Sequence, residues 1–475
     1  MATLSETLQR DPGFPVPEPT EAYWQKPPHS ISDIQSSKLP SETSVAIIGS
    51  GITGASVAYH LLKNDPTLSI TIFEARTATS GATGRNGGHI KDVPYHNYIE
   101  LMEAYGKGAA IKITKFKMAQ KAAVQQAVLE LEKEDASRTE LRSVESLDAI
   151  YDIQTWEHAK KAREVWLGDF PGEKERYGVY EAEEARKKFG MPNVVGILTS
   201  PQGAIWPYRF VTALLSSLLA KHPNMKLETQ TPVTNVTDSS SSDFPYEITT
   251  PRGTILAKHV VHCTNGYVAH LLPTLRGSVV PLRGQMTVQS PPPDFPRVGA
   301  TRSWSLLSQN MFDYMTQSPG PDGNIYLGGG FREAMAVGSL EIGSTNDSEL
   351  SEASLDHLRG QIDREFDRGK GTEIREKWTG IMGYTPDLLP MVGKLDEKLT
   401  GRKSAGANGR EWIAAGFCGH GMVYCWLSGK AVAEMLKGGE EACKDWFPLQ
   451  QFACTQERLC PESDTEKVLR ALMGR

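Results

Sequence analysis

Residues 44–74 read SVAIIGSGITGASVAYHLLKNDPTLSITIFE, and this stretch constrains the fold more than any other. A short apolar run, Val45–Ile48, meets Gly49-Ser50-Gly51-Ile52-Thr53-Gly54. An amphipathic segment, Ala55–Leu62, follows, and a second apolar run, Ile70–Phe73, ends in Glu74, 25 positions after Gly49. The order strand, glycine turn, helix, strand, acid is that of a dinucleotide-binding unit. Gly49 allows the tight turn, Gly51 lets backbone approach a pyrophosphate, and Gly54 lets helix and strand pack closely. The helix N-terminus offers unpaired N–H groups and a positive dipole end to phosphates. Glu74 is suited to accept hydrogen bonds from both ribose hydroxyls, and its charge repels a 2′-phosphate. The bland alternative is a glycine turn in an unrelated α/β protein.

The chain has 475 residues, enough for a large core and two domains. A net charge of −6 with scattered Lys and Arg gives no nucleic-acid footprint and no polybasic membrane patch. None of the six cysteines forms a CxxC pair, so neither a zinc site nor a disulfide framework is expected, and no metal is assigned. The first 25 residues lack the apolar core of a signal peptide, no run reaches membrane-spanning length, and Met473-Gly474-Arg475 is not an SKL-type signal. The expected location is cytoplasmic.

Residues 1–40 are rich in Pro and Ser and read as an extended arm lying on the domain. After the nucleotide unit comes a glycine-rich loop, Ser80–His89, then a long helical region at 96–134, a strand pair at 139–151 and a charged, mostly helical stretch at 155–190. Pro207–Lys221 opens with proline at a first helical position and repeats apolar residues with helical period. Asp238–Asp243 reads as a hairpin turn, Ala257–Cys263 as a buried strand leading into Thr264-Asn265-Gly266, and 278–332 as an antiparallel sheet. The strand Glu411–Gly416 runs into Phe417-Cys418-Gly419-His420-Gly421-Met422 and a helix near 423–437. The nucleotide fold is therefore completed by returns near 225–265 and 411–437, which predicts two interleaved domains. The expected spans are a nucleotide-binding domain at 41–105, 200–275 and 375–438, a substrate domain at 106–199 and 276–374, and an extension at 439–475 with a final helical stretch.

These residues carry a resemblance. GSGITG at 49–54, Glu74, SGATGRNGG at 80–88, HCTNGY at 262–267, PLRGQ at 281–285, WTGIMGYTPDLLPMVG at 378–393 and GFCGHGM at 416–422 resemble, in this order, the FAD-dependent oxidoreductases of the D-amino-acid oxidase, glycine oxidase and sarcosine oxidase superfamily. The GRNGG loop is most similar to gamma-glutamylputrescine-type members. The resemblance implies an α/β fold in which a Rossmann-type FAD-binding domain is interleaved with an antiparallel-sheet α+β substrate domain. It implies that FAD is held by Gly49, Ser50, Gly51, Ile52, Thr53, Gly54, Glu74, Ala75 and Arg76. It adds Ser80, Gly81, Ala82, Thr83, Arg85, Asn86, Gly87 and Gly88 beside the pyrophosphate and flavin, Val233 at the adenine, and Thr264, Asn265 and Gly266 across the dinucleotide. Gly380, Gly419, His420, Gly421 and Met422 complete the set at the ring. His420 and Arg85 are the catalytic candidates. Taken alone, Thr264-Asn265-Gly266 reads as a strand-end turn, His420 as a structural histidine, Pro386-Asp387 as a turn, and Arg85 equally as a flavin or phosphate contact.

Departures from the family pattern sharpen the expectation. Trp378–Tyr384 contains no cysteine and Arg85 stands about where a flavin-linking histidine would be, so FAD is expected to be non-covalent. Gly88 and Val423 stand where small-amino-acid oxidases carry basic residues that grip the substrate carboxylate. Arg85 or Arg283 is the candidate substitute. The expected reaction is oxidation of an amine C–N bond (polyamine-like, secondary or N-substituted) by hydride transfer to flavin N5, then hydrolysis of the imine. The partners are a small-molecule amine and O2 or another electron acceptor, with no nucleic acid and no membrane. The alternatives are an amino-acid oxidase or dehydrogenase, an NAD-dependent dehydrogenase, and a flavin-binding protein without amine oxidation.

Overall fold

The computed structural model describes residues 4–309, 311–338, 341–368, 370–406 and 410–459. Met473–Arg475 and the expected final helical stretch lie outside them.

One sheet runs in the order Met391–Lys394, Glu411–Ala415, Gly253–His262, Glu42–Ile48, Ile70–Phe73, Met225–Glu228. Its joins are parallel except the first, and the hairpin Asn235–Asp238/Tyr246–Thr250 hangs antiparallel on Gly253–His262. Parallel strands covered on both faces read as near-continuous apolar runs. Val45, Ala46, Ile47, Ile70 and Ile72 are all fully buried. The helices Ile52–Asn64 and Cys425–Gly438 cross closely, with Ser56 Oγ donating to the Trp426 carbonyl at 2.5 Å.

The second sheet runs Glu373–Tyr384, Val280–Ser290, Ile325–Gly329, Met311–Gln317, Arg302–Ser308, Arg142–Ile150, Gly196–Ala204, His89–Ile90. It is antiparallel but for one parallel pair, Arg302–Ser308 with Arg142–Ile150. Three strands that fall within or across the expected spans pair here: His89–Ile90, Gly196–Ala204, and Glu373–Tyr384, which contains position 375. An apolar run reveals that a strand exists but not which sheet receives it.

Other local differences have plain causes. The expected strand pair at 139–151 is one strand, Arg142–Ile150, because the left-handed Glu140 (φ 52°) sits before it and no second turn follows. The helical region 96–134 is three helices, Tyr98–Tyr105, Lys107–Leu129 and Lys133–Arg138, the first break falling at Gly106 with φ 80°. Pro207–Lys221 is one helix, as its proline and period predict. The C-terminal segment packs Phe447 and Phe452 around Phe116, and Arg458 grips both Asp387 carboxylate oxygens at 2.8 and 3.0 Å.

Candidate functional site

A long cavity opens at the carboxyl ends of Glu42–Ile48, Ile70–Phe73 and Gly253–His262, where ligands of open α/β sheets bind. The glycine turn forms its floor. Gly49 has φ 109°, and a Cβ there would lie 2.7 Å from the Cys263 carbonyl, so only glycine lets the neighbouring strand end close in. A Cβ on Gly54 would lie 2.1 Å from the Gly49 carbonyl. Gly51 differs: its Cβ would meet only Thr83 Oγ1 within contact range, at 3.0 Å, and its α-carbon faces the cavity. Gly51 is the N-cap of Ile52–Asn64 and supplies no capping side chain; Thr83 Oγ1 accepts from Ile52 N at 3.0 Å, and Ile52 and Thr53 line the cavity at the helix start. Buried Arg76 Nε and Ser80 Oγ have no partner among the described residues. A helix start with one N–H capped by Thr83, a bare glycine and the unpartnered Nε of Arg76 in the wall fit the phosphates of a dinucleotide.

Glu74 is held by its own loop. Its Oε2 accepts from Ser50 N at 3.2 Å and Ser50 Oγ at 2.7 Å, and its Oε1 accepts from Arg76 N at 3.0 Å. An ionised carboxylate offers about four lone-pair sites. With its three loop contacts kept, the carboxylate has room for one further donor.

Arg76 pairs bidentately with Asp347, both contacts at 3.0 Å, and Arg85 Nε lies 3.5 Å from the same carboxylate, which is fully buried. Arg85 Nε also donates to the Ser80 carbonyl at 2.8 Å, and its NH1 to the Thr379 carbonyl at 2.8 Å. Burial lowers the Arg85 pKa to about 10, against the pull of Asp347, and the guanidinium remains charged at neutral pH. Two guanidiniums on one carboxylate leave a positive charge in the cavity wall. Two of the three Arg85 nitrogens are fixed on backbone carbonyls, and its charge faces Asp347 beside that of Arg76, an arrangement suited to holding an anion. Arg283 is not in the wall at all. Its Nε and NH2 reach Glu341 at 2.8 and 3.1 Å, and its NH1 reaches the Asn346 carbonyl at 2.9 Å and Glu349 at 3.1 Å.

The far end of the cavity is assembled from separated segments. Asn265, left-handed with φ 48°, accepts from Gly416 N and Phe417 N at 3.1 and 3.2 Å, tying one strand end to the next. The wall here is Gly284, Met286, Tyr314, Gly380, Ile381, Met382, Phe417, Gly419, Gly421 and Met422. Among the described residues the charged side chains of the whole wall are Glu74, Arg76 and Arg85, so this end is apolar and aromatic. His420 is not part of the wall. Its Nδ1 lies 2.7 Å from the Cys418 carbonyl, which assigns the proton to Nδ1 and leaves Nε2 as an acceptor. Its ring is accessible, yet the enclosing protein penalises the charged form and Lys117 adds to this, so its pKa is lowered.

Of the expected residues, the wall also holds Gly49, Gly51, Ile52, Thr53, Ala75, Gly81, Ala82, Thr83, Asn86, Val233, Thr264 and Asn265. Ser50, Gly54, Ser80, Gly87, Gly88 and Gly266 stand behind it, shaping the backbone. Sequence reasoning missed Asp347, Met286, Tyr314, Met382 and the arm residues Gly13, Phe14 and Pro15. Met286 lies one residue past PLRGQ and Met382 lies inside WTGIMGY, so those two motifs held a signal. The others carry none.

Fold and cleft together define a dinucleotide-dependent enzyme of two interleaved sheets. Residues 44–435 match the model of the family described as FAD dependent oxidoreductase, and the chain belongs to that family. It is accordingly an FAD-dependent oxidoreductase. It is 22% identical to gamma-glutamylputrescine oxidoreductase of Escherichia coli (strain K12) over 89% of this chain and 90% of that one. It is 24% identical to mitochondrial dimethylglycine dehydrogenase of Homo sapiens, covering 91% of this chain but only 46% of that protein, so it spans about half of that relative. Among solved structures, glycine oxidase from Geobacillus kaustophilus superposes with a TM-score of 0.68 at 19% identity, covering 88% of this chain and 99% of that one. Iminodiacetate oxidase from Chelativorans sp. BNC1 gives 0.64 at 17%, covering 86% and 98%.

Proposed function

We propose that this enzyme oxidises the carbon–nitrogen bond of a secondary, N-substituted or polyamine-like amine in preference to a small α-amino acid. One observation carries the reading: among the described residues, each cation that could anchor a substrate carboxylate is already engaged by other groups of the chain. Gly88 and Val423 are not basic, Arg283 is bound to Glu341 and Glu349, and Arg85 is bound to backbone carbonyls and Asp347. A carboxylate in a dry pocket without a cationic partner is costly. An alkyl chain against Met286, Ile381, Met382 and Met422 is favoured.

Bound FAD supplies a two-electron acceptor for the hydride of the carbon next to nitrogen. The chain's part is to orient the amine, exclude water and keep nitrogen unprotonated. A low-dielectric wall of Met286, Tyr314 and Met382 disfavours an ammonium, so it lowers the pKa of an amine placed there without a dedicated base. The imine product then hydrolyses to a carbonyl compound and an amine. The glycine turn and the Arg76–Asp347–Arg85 cluster would hold the pyrophosphate, Glu74 a ribose hydroxyl, Val233 the adenine, and Gly419–Met422 the ring edge. The cofactor is held without a covalent link. Trp378–Tyr384 contains no cysteine and Arg85 stands in the first glycine loop, and burial raises the Cys425 and Cys263 thiols of the wall, which disfavours their thiolates.

The test is anaerobic bleaching of the flavin spectrum. Putrescine, spermidine, γ-glutamylated and N-alkylated amines are compared with sarcosine, glycine and D-alanine. The extended or N-substituted amines should reduce the flavin more efficiently. If sarcosine or a D-amino acid outpaces every amine, the reading is wrong.

A further inference from the structure

The arm that precedes the family-matched region runs along the open side of the cofactor cavity. It is fastened at intervals. The Leu8 carbonyl accepts from Gly277 N at 3.1 Å, and Asp11 meets His270 Nδ1 at 2.9 Å and Arg276 NH2 at 2.7 Å. The Val16 carbonyl accepts from Arg76 NH1 at 3.3 Å. Thr20 N donates to the Asp347 carbonyl at 2.7 Å, and Thr20 Oγ1 accepts from Thr379 N at 3.0 Å. The Trp24 indole donates to the Asn86 carbonyl, and Gln25 Nε2 reaches the Ser80 and Gly84 carbonyls, both at 3.2 Å. Apart from the ties to Gly277 and Arg276, each fastening lands on a residue that lines the cavity, stands beside one that does, or braces it.

Between the fastenings at Asp11 and Val16, the chain turns at Gly13 (φ 64°) and presents Gly13, Phe14 and Pro15 to the cavity. They face the end that also holds Glu74, Ala75 and Val233. The Phe14 ring packs on His270 at 4.3 Å between centroids, near perpendicular, and 41% of Phe14 remains accessible. A large apolar side chain this exposed is not held there by core packing. It is a flat π-face beside the position where a nucleotide base would lie, and every base offers a π-face in return.

We propose that residues 11–25 form a strap that closes the nucleotide half of the FAD site, with Phe14 as the contact that covers the adenosine. The core of the family then supplies the floor of the site, and a segment outside residues 44–435 supplies its cover. A cover of this kind slows release of FAD. To leave, the adenosine must either slip past Phe14 or wait for the arm to lift off His270 and Arg276.

The experiment uses the full chain, FAD-loaded and as apoprotein, with Phe14→Ala and Asp11→Ala. Three quantities are read: the FAD Kd by titration of apoprotein, the release rate from the rise of free-flavin fluorescence after dilution, and the thermal midpoint of both forms. Phe14→Ala should raise the Kd by roughly tenfold, the lower range of base–aromatic stacking. Asp11→Ala should speed release by a few-fold through loss of the two ties. The Phe14→Ala apoprotein should melt with the wild-type apoprotein, since the side chain is half exposed. Kd and release rate within twofold of wild type in both variants would overturn the proposal. So would an apoprotein midpoint that falls as far as that of the loaded protein, because the arm would then be a scaffold and not a wall of the site.

Discussion

The two ends of the cofactor cavity are built in opposite ways. The nucleotide end comes largely from one local run, Glu42–Glu74, in which strand, glycine turn, helix, strand and acid follow each other without a break. The ring end is assembled from Val280–Ser290, Met311–Gln317, Glu373–Tyr384 and the 416–422 turn, which meet only after the second sheet has formed. The first end is shaped by a glycine turn and carries charged side chains; the second is apolar and aromatic. A glycine substitution at the first should therefore act on cofactor binding through backbone space, and a substitution in or behind the second through packing and the pairs that support it.

The sharpest way to break this contrast is at the glycines. Gly51→Val should abolish FAD binding while the apoprotein still folds, because Gly51 faces the cavity and its Cβ meets only Thr83 Oγ1 at close range. Gly54→Ala should fail to fold, because its methyl would lie 2.1 Å from the Gly49 carbonyl. Flavin absorbance and circular dichroism of the two purified variants check this. Equal behaviour of both would show that the turn acts as one unit.

Behind the ring end, outside the wall itself, the large effect should fall on stability. Arg283→Met removes a bidentate partner of Glu341, a carboxylate with 1% exposure, and breaking a buried pair costs up to about 3–5 kcal/mol. Denaturant unfolding of the apoprotein should show the loss, whereas the FAD Kd of the folded fraction should hold. Raised KM for amino acids with unchanged stability would instead make Arg283 a substrate anchor and overturn its placement behind the wall.

The same contrast explains what could be read from residues alone. The glycine turn was legible because its spacing, its flanking apolar runs and Glu74 all lie within one window. The helix Pro207–Lys221 was legible for the same reason. Asp347 was not: it lies 271 positions from Arg76, and no local pattern marks an acid whose partners come from another sheet. Nor was the role of Asn265, whose side chain bridges to Gly416 and Phe417 about 150 positions on. Tyr314 and Phe14 belong to runs that read as an ordinary strand and an ordinary arm. Strands were located more reliably than their sheets, as Glu373–Tyr384 shows, because pairing partners are chosen by tertiary contacts.

A smaller effect separates ligand contact from loop support at Glu74. Glu74→Gln keeps an oxygen for one loop hydrogen bond but loses the charge that serves the ribose. A hydrogen bond to a charged group is worth about 1.5–3 kcal/mol, and with one free lone pair the lower figure applies, roughly tenfold in FAD Kd. Titration of the apoprotein measures it. A change near a hundredfold would mean that both ribose hydroxyls bind and that the loop contacts with Ser50 yield to them.

The smallest effect is expected at His420. Its side chain lies outside the cavity wall, and its Nδ1 serves the Cys418 carbonyl in a turn already fixed by Cys418 N on the Gly383 carbonyl at 2.7 Å. Its pKa lies below the ordinary histidine value of 6.5, through enclosure and the nearby charge of Lys117. Above pH 6.5 the ring is neutral both folded and unfolded, so it adds no pH dependence there. As pH falls below 6.5 the unfolded chain takes up the proton first, and stability is lost until the folded ring also titrates. His420→Asn keeps a donor near the carbonyl and removes this titration. It should leave the FAD Kd and the flavin reduction rate within about threefold of wild type, and flatten the fall in thermal midpoint between pH 6.5 and the lowered folded value. A drop of a hundredfold or more in flavin reduction, within the general acid–base range of about 10²–10⁴, would restore His420 as a catalytic group. It would also show that the ring end, like the nucleotide end, was marked in the sequence by its glycine turn.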